Sequence, residues 1–143
     1  MSHITNIDLE IKELGALKQA CQRLGLEFME DQKSYSWYGR FVGDAPLPEG
    51  VKVEDLGQCA HAIKVPGAQY EVGVVSDRQG GYRLQWDYWR AGGLEEVLGK
   101  GAGKLKMAYG IEMTKMAARR EGKSVYEIKR DNGEITLDIQ GGF

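Results

Sequence analysis

Two pairs of β-type segments, each pair joined by a short glycine-containing turn, constrain the fold of this chain most strongly. A glycine-containing loop between two such segments is typical of a β-hairpin, and an Asn-Gly step such as Asn132-Gly133 is the strongest short-range signal for one. The paired segments are residues 70–76 with 82–89 and residues 125–130 with 134–140. The sequence therefore predicts two hairpins and a mostly antiparallel sheet.

Two other segments show helical periodicity. Apolar side chains recur at intervals of three and four before Gly25, which predicts an amphipathic helix ending there. A second helix is predicted over residues 93–122. Its glycines at 99, 101 and 103 each cost about 1 kcal/mol relative to alanine, so they indicate a kink or a close contact with another backbone.

The remaining β-type segments complete the predicted fold. They are residues 4–11, 26–30, 34–42 and 59–65. Residues 43–58 contain two prolines and several acidic residues, which predicts a surface loop within a single domain spanning residues 1–143. Two helices packed on one face of a mostly antiparallel sheet is the economical arrangement of these elements. We therefore expect an α+β domain with an elaborated ferredoxin-like layout.

Composition excludes several classes of function. A net charge of −2 and a pI near 5.7 argue against a general nucleic-acid binder. The two cysteines lack the CxxC spacing of a structural zinc site, and the only histidines are His3 and His61, so we predict no metal and no cofactor. Cys21 and Cys59 are expected to be free thiols. No targeting segment or membrane span is visible, so the expected location is the cytoplasm.

Several short motifs occur in a specific order along the chain. They are Tyr70-Glu71-Val72-Gly73-Val74-Val75, Tyr82-Arg83-Leu84-Gln85-Trp86-Asp87-Tyr88-Trp89, Gly93-Leu94-Glu95, Lys104-Leu105-Lys106-Met107-Ala108-Tyr109 and Asp131-Asn132-Gly133-Glu134-Ile135-Thr136-Leu137. In this combination the chain resembles the chloroplast hypothetical-reading-frame-35 family, also called domain of unknown function 1257, of plastids, bacteria and tailed phages. The resemblance implies no settled activity. Because some members are encoded beside an AAA-type ATPase, it implies an adaptor or assembly role with such an ATPase as candidate partner.

Four cations mark the predicted second helix. At about 100° per residue, they fall together on one flank of it, away from the apolar face. They are Lys100, Lys104, Lys115 and Arg119. This basic stripe is either a solvated helix face or a site for an anion or an acidic partner. The glycines beside it do not form a nucleotide-binding loop, because only three residues separate Gly99 from Gly103 and Leu105 replaces the required Ser or Thr.

An aromatic block ends the strand predicted at residues 82–89. Alternation places Trp86 on one face of the sheet and Asp87 with Trp89 on the other, so one set belongs to the core. The other set is either structural packing or a binding hot spot. His61 lies two residues from Cys59, as in a thiolate–imidazole pair, but no third orienting group is evident.

These features lead to two hypotheses for function. The first is a non-enzymatic binding or adaptor domain that contacts another macromolecule through its sheet and second helix. The expected partner is a protein and not nucleic acid, because four cations supply few phosphate contacts. The sequence does not decide whether the chain forms a homo-oligomer. The alternative is a small-ligand-binding protein or small enzyme with a pocket between sheet and second helix, lined by Trp86, Asp87, His61 and Tyr109.

Overall fold

A computed structural model describes residues 2–43 and 46–141 and contains a five-stranded antiparallel sheet with helices on one face. The predicted α+β class is therefore confirmed. The strands are β1 (Ile4–Ile11), β2 (Glu27–Met29), β3 (His61–Lys64), β4 (Glu71–Ser76), β5 (Tyr82–Asp87), β6 (Ser124–Lys129) and β7 (Ile135–Gln140). The helices are α1 (Leu14–Leu24), α2 (Leu94–Leu98) and α3 (Gly103–Arg120), with single 3-10 turns at Val53–Asp55, Arg90–Gly92 and Lys100–Ala102.

The main sheet has the order β1-β5-β4-β3-β2, and every neighbouring pair is antiparallel. The loop between β4 and β5 forms the predicted hairpin, with Val74 opposite Leu84. Because side chains alternate along a strand, one face of the sheet is apolar. Its largest buried contributors are Ile63, Val72, Val74, Leu84 and Trp86.

The helices α1 and α3 cover that apolar face and pack against each other. Buried side chains of α1 recur every three or four residues, which is why a single face of the helix enters the core. Gly25 ends α1 with a left-handed φ of 73°, and Leu26 N–H donates to Cys21 O at 2.8 Å. The C-terminus of α1 therefore falls where the sequence predicts it.

The prediction of one continuous helix over residues 93–122 is wrong. The chain forms the short helix α2, then a 3-10 turn, and only then α3. Positive φ angles at Gly99, Gly101 and Ala102 break the helical path. The sequence indicated either a kink or a close contact with another backbone at these glycines, and the structure shows the kink.

Residues 34–42 do not form the predicted strand. Only Ser34 makes a bridge, with Gln58, and the segment instead lies across the face of the sheet opposite the helices. There the ring of Tyr35 covers Gly73, and Tyr35 Oη donates to Gln85 Oε1 at 2.7 Å. Tyr35, one of the aromatic residues that favoured a strand, thus packs on the second face of the sheet, which a local pattern cannot distinguish from strand pairing.

The Asn-Gly turn forms the second predicted hairpin, in which Val125 lies opposite Ile139 and Glu127 opposite Leu137. Within the turn, Asn132 Oδ1 accepts the Glu134 N–H at 3.0 Å. The two strands pair with each other as a separate sheet and do not extend the main one. The last two strands therefore leave the layered core and project beside α3.

Candidate functional site

The four cations of the predicted basic stripe do not lie on one helix. Lys104 and Arg119 are exposed on α3, whereas Lys100 is exposed in the 3-10 turn that precedes it. The break in the helix changes the direction of the chain, so the helical period does not relate Lys100 to the other three residues.

Lys115 belongs to an ion cluster that joins three elements. Its Nζ lies 3.1 Å from Glu127 Oε2 on β6 and 3.6 Å from Glu112 Oε2 on α3. Arg23 of α1 donates to the same two carboxylates, at 2.6 Å to Glu127 and 3.3 Å to Glu112. Two cations and two carboxylates balance within this cluster. Lys115 therefore adds little attraction for an external anion.

The electrostatics of the cluster favour its charged form. The hydrogen bond from Arg23 lowers the pKa of Glu127 to about 2, and Lys115 acts in the same direction. The same contacts raise the pKa of the Arg23 guanidinium, with the hydrogen bond to Glu127 as the largest cause. The cluster therefore joins the C-terminal hairpin to α1 and α3.

Trp86 and Asp87 are both buried, on opposite faces of the sheet. Trp86 packs into the core beneath the helices. The Asp87 carboxylate accepts backbone N–H groups from His3 at 2.9 Å, Tyr38 at 3.0 Å and Trp89 at 3.0 Å. Asp87 thus holds the N-terminus, the segment after β2 and the end of β5 together. With no exposed surface, it has no access to a ligand.

Trp89 is half-buried and lies beside the His3 ring at 5.3 Å between centroids. Tyr88 is exposed and stacks on the same ring at 5.2 Å. This small aromatic group packs the N-terminal segment against the end of β5.

His61 and Cys59 make separate contacts. His61 Nδ1 accepts the Asp31 N–H at 2.9 Å, and its ring lies between those of Phe28 and Tyr82. The Cys59 thiol donates to Gln32 O at 3.2 Å, and burial raises its pKa to about 11. A thiol with this pKa stays protonated near neutral pH, so the pair lacks the thiolate that nucleophilic catalysis needs.

The predicted pocket between sheet and second helix is not assembled as expected. A cavity of about 350 Å³ does lie beside β1 and the turn before α3, and its lining includes Trp86 and Lys100. Asp87, His61 and Tyr109 do not line it. Tyr109 Oη instead accepts the backbone N–H groups just before α1, from Lys12 at 3.1 Å and Glu13 at 3.3 Å.

The C-terminal hairpin exposes apolar side chains on both of its faces, which the sequence did not predict. Tyr126 and Ile128 are 54% and 41% exposed on one face of the hairpin, and Ile139 is 44% exposed on the opposite face. In the part of the chain that the structure describes, β7 pairs only with β6, so its outer edge has no strand beside it. We call these three side chains and the outer edge of β7 the hairpin surface. Both strands were predicted, but the separation of the hairpin from the main sheet had no local signal.

A second candidate site lies on the face of the main sheet opposite the helices. There a cleft of about 430 Å³ is bounded by the segment around Gly50 and Asp55 and has Gln85 and Arg83 on its floor. Arg83 Nε is buried and has no hydrogen-bond partner among the described residues. A buried donor without an acceptor is unusual and points to a group that the protein does not itself supply.

No family model, curated protein or solved structure matches this chain. In residues 2–43 and 46–141 no cluster of three or more His, Cys, Asp or Glu side chains could hold a metal ion. No helix in the same residues is long and apolar enough to cross a membrane.

Proposed function

We propose that this chain is a non-enzymatic binding or adaptor domain whose docking element is the hairpin surface together with the adjoining part of α3. The observation that carries this proposal is the exposure of Tyr126, Ile128 and Ile139 on a two-stranded sheet with an open edge. The partner is a protein that presents an extended segment with alternating apolar side chains.

The physical reason lies in the limited support of the hairpin. A two-stranded sheet is marginally stable in water, and its open edge offers unpaired N–H and C=O groups to another strand. An added strand gains main-chain hydrogen bonds, while its alternating side chains contact the apolar residues of the receiving sheet. Apolar exposure and an open edge on the same element therefore favour protein docking.

Charge favours a protein over nucleic acid. The chain carries a net charge of −2, and Lys115 is balanced within the ion cluster. The predicted cations left exposed, Lys100, Lys104 and Arg119, supply few phosphate contacts. Membership of the hypothetical-reading-frame-35 family, which we propose from the motifs quoted above, supports an adaptor role in the cytoplasm, with an AAA-type ATPase as candidate partner.

The test compares one hairpin variant with one matched control. A partner is first captured from host extract with the wild-type chain and purified. Its dissociation constant is then measured for wild type, for Tyr126→Ser with Ile128→Thr, and for Val53→Thr, which alters an apolar residue 51% exposed outside the hairpin. We expect at least a tenfold loss for the hairpin variant alone. Equal affinities for folded wild-type and hairpin-variant protein would refute the proposal.

The cleft over Arg83 supports a second candidate function, the binding of a small carboxylate or phosphate. A guanidinium provides five donors in a planar fork that matches such anions, and Lys33 lines the same cleft. Calorimetric titration with succinate and with inorganic phosphate tests this function. We expect saturable binding by wild type and by Arg78→Met, a nearby cation outside this cleft, and none by Arg83→Met. Absence of saturable binding by wild type would exclude it.

A further inference from the structure

We infer that the partner of the β7 edge is a second copy of this chain, paired antiparallel about Leu137. This inference rests on the proposed function, because it names an occupant of the hairpin surface. Pairing of the two β7 strands would join two hairpins into one four-stranded sheet with β7 strands at its centre.

The backbone of β7 presents the required groups at its outer edge. At the turn, the Arg130 N–H donates to Glu134 O at 2.8 Å, which makes these two residues a hydrogen-bonded pair. Such pairs alternate along an antiparallel ladder, so every second residue of β7 bonds to β6 and the residues between them direct N–H and C=O outward. The outward residues are Ile135, Leu137 and Ile139.

Charge and the number of paired residues together select one register of self-pairing, because an axis at Ile135 or Ile139 pairs fewer residues of β7. A two-fold axis that keeps the apolar side chains of both strands on one face must pass through a residue and not between two. An axis at Asp138 places two Asp138 carboxylates opposite each other, and an axis at Thr136 places Glu134 opposite Asp138. Like charges in these positions destabilise a sheet. An axis at Leu137 places Thr136 opposite Asp138 and brings no like charges together.

The Leu137 register also matches the side chains on both faces. On one face, Ile135 of each copy would contact Ile139 of the other and cover a side chain that is 44% exposed in the single chain. On the other face, Thr136 Oγ1 accepts from Arg130 Nε at 3.2 Å, which leaves its hydroxyl hydrogen available to Asp138 of the second copy. The Arg130 charge then lies near that carboxylate. The strand is therefore complementary to itself in this register.

The size of the contact sets the expected strength of the dimer. Five residues of each β7 strand pair in this register, a smaller contact than the roughly 1,600 Å² buried by a standard protein interface. We therefore expect a reversible monomer–dimer equilibrium that depends on concentration, and not a permanent dimer.

The register is tested by opposite charges at one position, with sedimentation equilibrium over a wide range of concentration. Thr136→Lys places a cation opposite each Asp138, and Thr136→Asp places an anion there. We expect the dissociation constant to fall about three- to tenfold for the lysine variant and to rise by at least as much for the aspartate variant, since cross-strand charge pairs contribute at this level. Thr114→Lys and Thr114→Asp, on α3, control for net charge.

The outcomes separate this inference from the proposed function. Equal effects of the lysine and aspartate variants at position 136 would overturn the Leu137 register. Wild-type protein that is folded and monomeric at every concentration would overturn the second copy as partner. In that case, a captured protein that still requires Tyr126 and Ile128 would leave the proposed docking function standing. Wild-type protein that is monomeric at every concentration, together with a captured partner that does not require Tyr126 and Ile128, would refute both proposals.

Discussion

Glu127 of the C-terminal hairpin lies 2.6 Å from Arg23 of the first helix, although 104 residues separate them in sequence. Because Arg23 lowers the pKa of Glu127 to about 2, the folded state holds this carboxylate charged more strongly than the unfolded chain does. A lowered folded-state pKa contributes stability that is present above the unfolded pKa and is lost as pH falls towards the folded one. The contact therefore stabilises the protein above about pH 4.5, the ordinary pKa of this side chain.

Replacement of Glu127 by Gln tests this contribution. We expect the free energy of unfolding at pH 7 to fall by about 1–2 kcal/mol, because Arg23 and Lys115 lose a charged acceptor in a partly buried site. The variant should also lose less stability than wild type between pH 5 and pH 2. Urea denaturation across this range measures both effects. Glu134→Gln, in the exposed turn, is the control, and parallel pH profiles for wild type and Glu127→Gln would contradict the assignment.

Asp87 offers a second test of structure. Replacement by Asn keeps the size of the side chain but turns an acceptor oxygen into a donor that faces a backbone N–H. We expect a loss of about 2–4 kcal/mol, because the three N–H groups of His3, Tyr38 and Trp89 depend on this carboxylate. Chemical denaturation gives the value. Asp131→Asn, at an exposed turn residue, should change stability by less than about 0.5 kcal/mol, and a similar effect of both variants would refute the role of Asp87.

Two glycines form a matched pair for the packing of the sheet's second face. A Cβ at Gly73 would overlap the Tyr35 ring, whereas a Cβ at Gly110 on α3 meets nothing within 4 Å. We expect Gly73→Ala to destabilise the fold by about 1–3 kcal/mol through displacement of Tyr35. Gly110→Ala should stabilise it by up to about 1 kcal/mol, because alanine favours a helix. Thermal unfolding compares them, and a tolerated Gly73→Ala would show that Tyr35 does not pack as described.

The two cysteines should react at different rates with a thiol reagent. Both are free, and burial raises the pKa of Cys21 to about 12 and that of Cys59 to about 11. We expect Cys21, which is buried in the core, to react only after unfolding, and Cys59 to react slowly in the folded protein because it is partly accessible. Titration before and after denaturation counts the two thiols. Fewer than two reactive thiols in the denatured, unreduced protein would indicate a disulfide.

The elements that local patterns specify were predictable. The end of α1 at Gly25 is specified by residues within a few positions of that glycine. The hairpin at Asn132-Gly133 is likewise specified by the residues beside its turn. The position of residues 34–42 was not predictable, because an aromatic segment can pack across the face of a sheet as well as pair within the sheet as a strand. The break before α3 was anticipated only as one of two alternatives.

The candidate site was harder to predict because its properties depend on distant contacts. Lys115 has the helical spacing of a free cation, yet Glu127 arrives from the following strand and Arg23 from the first helix. Asp87 has the pattern of an exposed polar residue beside aromatics, yet its carboxylate accepts two N–H groups that are remote in sequence, those of His3 and Tyr38. The hairpin surface is exposed because β6 and β7 form a sheet separate from the main one. That separation depends on tertiary contacts, which the local sequence does not show.

The strand order has a consequence for biosynthesis. β1 leaves the ribosome before the other described strands, but its partner in the sheet is β5, with Thr5 opposite Trp86. More than half of the chain must therefore be translated before the first strand finds its place. Contacts between residues so distant in sequence slow folding, and apolar strands that are still unpaired promote aggregation. Ile7 and Ile11, which are buried in the folded core, therefore lack their β5 partner during synthesis until the fifth strand emerges.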